Sequence, residues 1–223
     1  MMEIAPLIQK IVISIIPILF AVILHEVSHG FIANKLGDPT AKMMGRLTLN
    51  PISHIDPFGT ILMPLFLYAV TNGQFVFGYA KPVPINAMNF RNPKRDMAIS
   101  AAAGPVTNLL LATMSVLLAK HFIIPVSQIM PLSAISTVLK PLLLMLEASI
   151  IINVILAVFN MIPIPPLDGG RVLMGLLPHR QAMSLGRLER FGFIIILVLV
   201  ATHITDIIIL PVISFIVNIL MLL

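Results

Sequence analysis

Long apolar runs, broken by prolines, glycines and short polar clusters, organise the chain. The first run keeps helical spacing from Leu7 to Asn34 and carries Pro17. It predicts a kinked helix long enough to cross a bilayer, which takes about 20 residues. A polar run, His25 to His29, follows its apolar part where a signal peptide would show a small-residue cleavage site, so the segment is read as a span. Thr60–Val70, bounded by Gly59 and Asn72 and carrying Pro64, is too short to cross and predicts a re-entrant segment. Residues 96–122 predict a second full span, bent near Gly104-Pro105. Residues 136–168 predict a helix to about Asn160 that runs out into the proline-rich stretch Met161–Asp168. Arg171–Arg190 reads as a basic loop with a short helix, and 191–223 as C-terminal helices, of which Phe191–Leu210 can span. Within 44–90, Gly45–Leu49 and Gln74–Tyr79 have strand composition, and Lys81–Ile85 reads as an edge strand because of its two prolines.

Composition narrows the class. The chain has 223 residues, is 58% hydrophobic and only 10% charged; its mean hydropathy is +1.04. Soluble domains carry about 25% charged residues, so a soluble enzyme, a disordered protein and a nucleic-acid binder are excluded. The net charge of +5 then reports basic loops beside an anionic leaflet. With Thr60–Val70 re-entrant, residues 35–95 and 169–190 hold eleven of the 14 Lys and Arg on one side. Only Lys10, Lys120 and Lys140 lie opposite, which puts the N-terminus outside and the basic loops in the cytosol. The absence of cysteine excludes disulfides and thiolate metal sites. One membrane domain, 1–223, is expected.

The chemistry concentrates in His25-Glu26-Val27-Ser28-His29. On a helix the two histidines share a face one turn apart and can offer two nitrogens to one metal, with Glu26 beside them as a base. Ionisable residues inside an apolar helix mark function by default. A catalytic zinc needs three protein ligands and one open position. Asp168, in Asn160-Met-Ile-Pro-Ile-Pro-Pro-Leu-Asp168-Gly-Gly, is the acidic residue held in irregular backbone just past a span. An alternative for Asp168 is to cap the following helix. Two neutral imidazoles, Zn²⁺ and the carboxylates of Asp168 and Glu26 sum to zero, which a low-dielectric interior tolerates. His54 is either an outer partner of the zinc site or a loop histidine paired with Asp56. His121, His179 and His203 read as interface residues, and the 14 Met form no regular array that would suggest copper.

HEVSH, Ala103-Gly104-Pro105 with Asn108, and the Asn160 to Asp168-Gly169-Gly170 segment together resemble the site-2 protease family of intramembrane zinc metalloproteases, over about residues 7–180. The resemblance implies one zinc held by His25, His29 and Asp168, with Glu26 as general base. It implies that Asn160 contacts substrate or the developing oxyanion. It also implies a membrane β-hairpin, for which the strand candidates are available. The fold expected is an all-α polytopic membrane protein of four to five transmembrane helices, with a re-entrant segment and a small membrane-associated β-hairpin. The chain would be a minimal member without a PDZ or CBS domain, placed in the cell membrane with its site toward the cytosol. Its partners would be transmembrane protein substrates and the lipid bilayer, with no nucleic acid; the sequence assigns no oligomeric state. Two other classes compete. A metal-ion transporter would need a polar pathway on both sides of the site, and no second polar cluster is read in the helices after Ala101. A silent adaptor on the same core would have little reason to keep Glu26.

Overall fold

A computed structural model describes residues 4–71, 78–202 and 204–223. Helix α1 spans Ile4–Leu36 through Pro17. It stops at Gly37, whose φ of +116° is open to glycine and strained for other residues. A short apolar helix, α2 (Met63–Val70), follows. Helix α3 (Pro93–Leu118) starts with proline at its first position, and the Asn92 side chain accepts from Arg95 N–H. Helix α4 covers Lys140–Asn160 and α5 covers Asp168–Leu176. Helices α6 (His179–Gly186), α7 (Glu189–Ala201) and α8 (Ile204–Leu220) complete the described chain.

Three turns are widened to the π form: Pro57–Leu62, Ala119–Ile123 and Ile135–Leu139. Each is followed two residues later by a proline, Pro64, Pro125 and Pro141. The cause is common to all three. Proline lacks the N–H that would close the preceding turn, and its ring crowds the carbonyl there, so the helix opens locally instead of breaking.

Helices α1, α3 and α4 pack against one another, and α5 packs on α3. Small residues line their contacts: Ala21, Ala33, Ala101, Ala112, Val116, Val154 and Ala157 are buried, while Phe20, Phe31, Leu110 and Phe122 point outward. Water would drive the large side chains inward; lipid leaves them outside and lets small residues bring backbones close. The ends of the bundle are tied by lysines. Lys94 bonds the Leu177 carbonyl at one end, and Lys120 bonds the Met221 carbonyl at the other.

Two expectations fail. Among the described residues three helices are long and apolar enough to cross a membrane, within Ile13–Leu36, Pro93–Ser127 and Leu132–Asn160, where four to five were expected. The C-terminal part divides into helices of 13 and 17 residues, each below the roughly 20 that a span takes. The β-hairpin is also absent among the described residues. Gly45–Leu49 and Lys81–Ile85 are irregular, and most of the third candidate, residues 74–77, lies outside the described residues, as does His203. Lys81–Ile85 shows why no ladder forms. Pro82 and Pro84 have no N–H, and the donors that remain go to scattered partners. Tyr79 N–H bonds Gly59 O, Lys81 N–H bonds His54 O, and Val83 N–H bonds Glu26. Those partners lie on three separate elements, so the segment is pinned without a neighbouring strand.

Candidate metal centre

His25 and His29 sit on the face of α1 that meets α3, and both are 7% exposed. Helix α3 receives them with residues spaced by four: Ser100, Gly104 and Asn108. His29 Nδ1 lies 2.7 Å from the Ser100 carbonyl, and the Ser100 hydroxyl donates back to the His29 carbonyl at 2.9 Å. His25 Nδ1 lies 2.5 Å from Asn108 Oδ1. Between these anchors, a Cβ on Gly104 would fall under 3.0 Å from both imidazoles. Glycine is required there for close approach, in an ordinary helical conformation.

Asp168 arrives from the far side. The segment after Asn160 folds on itself through Ile164 N–H to Ile162 O and Leu167 N–H to Ile164 O. Gly169 and Gly170 lie so tightly on the backbone of Met161–Pro165 that a Cβ on either would collide with it. Their use is close packing, since neither has a positive φ. Leu167 occupies the capping position of α5, and no side-chain bond caps that helix. Asp168 therefore does not cap. Its Oδ2 stands 3.2 Å from His25 Nε2 and 3.3 Å from His29 Nε2, buried with no partner of ordinary hydrogen-bond geometry.

The two Nε2 atoms are 3.0 Å apart. Ligands about 2.0–2.2 Å from a tetrahedral zinc lie roughly 3.3–3.6 Å from one another, so the trio is the right size to within a few tenths of an ångström. Its chemistry fits as well. Both Nδ1 atoms face oxygens that can only accept, which puts the ring protons there and leaves both Nε2 lone pairs pointing at a carboxylate. Three acceptors converging in a buried space suit a cation. His25, His29 and Asp168 are the group among the described residues that could hold a metal.

The other expected residues are close in sequence but outside this trio. Glu26 is half-buried, and its Oε2 accepts from Val83 N–H at 2.8 Å. Asn160 turns its amide nitrogen back to the Leu156 carbonyl, 2.9 Å away. His54 is buried, with Nε2 at 2.8 Å from the Thr48 carbonyl and Nδ1 without a partner. It is not paired with Asp56, which accepts from Phe58 and Gly59 N–H at the start of the next helical turn. Sequence reasoning gave Ser100, Val83 and Asn153 no part in the site; the four-residue spacing of small and polar residues in an apolar helix was the available signal for Ser100.

Comparison with known proteins gives the family. The Peptidase family M50 model matches residues 123–203, which include the Asp168 segment. "Putative zinc metalloprotease YwhC" of Bacillus subtilis (strain 168) is 36% identical over 200 residues, 90% of this chain and 85% of that protein. "Putative zinc metalloprotease Rip2" of Mycolicibacterium smegmatis is 28% identical over 82% of this chain, which spans 64% of that longer relative. Rip2 of Mycobacterium tuberculosis (strain H37Rv) is also 28% identical, over 81% of this chain and 63% of its own. No solved structure matches. With a relative this similar along nearly its whole length, the chain belongs to peptidase family M50, the site-2 proteases, and is an integral membrane zinc metalloprotease.

Proposed function

We propose that the protein is an intramembrane endopeptidase that hydrolyses peptide bonds in or near transmembrane segments of other membrane proteins. The observation that carries this is the convergence of His25, His29 and Asp168 inside a bundle of apolar helices. These three would hold the zinc. When bound, the ion supplies an acidified water and polarises the scissile carbonyl. Glu26, next to His25 in the chain and held by Val83 N–H, takes the proton from the attacking water and returns it to the leaving amide nitrogen. Asn160, at the end of α4, would donate to substrate or to the developing oxyanion once its amide leaves Leu156. His54 is buried with one free ring nitrogen and would act as an outer partner of the site. The basic loops between α1 and α3 and after α4 support a site that faces the cytosol.

The test is cleavage of transmembrane-segment peptides by purified protein, with and without a zinc chelator, beside Glu26→Gln. The variant should keep about one zinc per chain and lose cleavage. Cleavage at the wild-type rate would remove Glu26 from the mechanism.

A further inference from the structure

Beyond Asn108 the structure continues a line of polar side chains away from the metal centre, into the apolar bundle. Asn108 Nδ2 donates to Asn153 Oδ1 at 2.8 Å and faces the Ala21 carbonyl at 3.4 Å. Asn153 Nδ2 donates to the Ser149 carbonyl at 2.8 Å and to Ser149 Oγ at 3.1 Å. Ser115 Oγ completes the line at 2.9 Å from Ser149 Oγ. Asn108 is 0% exposed and Asn153 1%. This is a second polar cluster after Ala101, which the sequence reading had denied.

The direction of each bond from Ser149 to His25 is fixed by the Ser149 carbonyl. A backbone carbonyl can only accept, so Ser149 O forces Asn153 to present its NH₂ there and its oxygen to Asn108. Asn108 must then turn its own NH₂ toward Asn153 and Ala21, and its oxygen toward His25. His25 in turn carries its proton on Nδ1 and leaves Nε2 free. We infer that Asn153 is a positioning residue for the metal centre: through Asn108 it sets which nitrogen of His25 is available to the ion. The inference rests on the zinc reading above. It gives α4 two tasks, leading into the Asp168 segment at its C-terminus and fixing a ligand of α1 from its middle. The same cluster would serve an ion pathway only if its groups were free to change partners, and here each is committed to a neighbour.

Zinc affinity of the purified full-length protein, measured by competition with a chromophoric chelator, tests this. Changes behind a metal-bound histidine typically cost 10–100-fold in affinity. Asn153→Leu, similar in shape but unable to accept from Asn108, should weaken zinc binding about tenfold. Asn153→Asp is the conservative rescue. Kept neutral by burial, its carboxyl offers one donor to Ser149 and one acceptor to Asn108, and affinity should stay within about twofold of wild type, well short of the tenfold loss expected of Asn153→Leu. In ¹⁵N spectra of the zinc-loaded wild type, His25 should carry its proton on Nδ1. Unchanged affinity in Asn153→Leu overturns the proposal, as does equal loss in both variants. Should Asn153→Leu not fold, a His25 proton on Nε2 in the wild type would overturn it by itself. A wild type that binds no zinc would instead defeat the metal reading, which separates the two failures.

Discussion

Gly104 shows what a single missing side chain supplies to a metal site. The two imidazoles rest on its Cα, and a methyl there would meet both rings. Gly104→Ala should therefore expel the ligands from register, lowering zinc occupancy and cleavage together while the long helices remain. Metal content and helical circular dichroism, measured on one preparation, check both halves; full zinc occupancy would show that α1 and α3 can separate without cost. The two histidines were legible as candidate ligands because their chemistry is local: two histidines one turn apart declare a shared face. Asp168 was legible because few acidic residues lie near a span. The meaning of Asn108 was not, because an asparagine is defined by its partners. Those partners are His25, 83 positions away, and Asn153, 45 positions away.

The element that reshapes the picture most is Lys81–Ile85. Its composition suggested a strand, and its alternate residues Lys81 and Val83 do donate their N–H groups. What it meets is a carboxylate and single carbonyls in place of a second strand. Strand composition describes what backbone can be extended; it does not say where its hydrogen bonds go. Arg46 grips the Lys81 carbonyl at 2.8 Å, and Val83 packs where Gly30 leaves room. Val83→Pro removes the N–H that holds Glu26, between prolines that already favour extended backbone. Turnover should fall by roughly the factor of ten that one hydrogen bond to a charged group represents, with zinc retained, whereas Val83→Ala keeps the N–H and should act more mildly. Equal activity of the Pro variant and wild type would show that Glu26 needs no such support.

Asp38 fastens the end of that segment to α1, accepting from Asn86 N–H, Asn89 Nδ2 and both the N–H and hydroxyl of Thr40. Burial alone would raise its pKa, but the bonds from Thr40, Asn89 and Asn86 outweigh this and hold the carboxyl below its ordinary value of 3.8. Its contribution is thus complete above that value and is lost as pH falls through the lower, folded one. Thermal unfolding in detergent should show this acid-side loss in wild type. In Asp38→Asn the loss should be smaller, and the midpoint at neutral pH should already be lower.

For the whole molecule, α1 and α3 run antiparallel, since His25 meets Asn108 and His29 meets Ser100. The start of α1 therefore shares an end with Lys120, and Lys120 holds Met221. The opposite end carries Lys94 and Leu177. The cysteine-free chain suits single labels. Cysteine at exposed Gln181 should react from the cytosolic side, and cysteine at exposed Gln128 from the other. Labelling of Gln181 and Gln128 from one side would overturn the topology. The long helices were legible from hydropathy alone. The count of spans was not, because a continuous apolar stretch at the C-terminus does not reveal where its helix is interrupted.

Asp168 enters the centre from a different half of the chain than the two histidines, across the interface of α1 with the segment that opens α5. A zinc ion held there would act as a rivet as well as a reagent. By mass action, free zinc at a hundredfold excess over its dissociation constant stabilises the assembled form by about 2.7 kcal/mol. Starved of metal, the bundle would keep its long helices but leave three acceptors facing one another, and the Asp168 segment would lose what fastens it to α1. Chelation would then disarm the protein twice, once by taking the reagent and again by loosening the segment that completes the site.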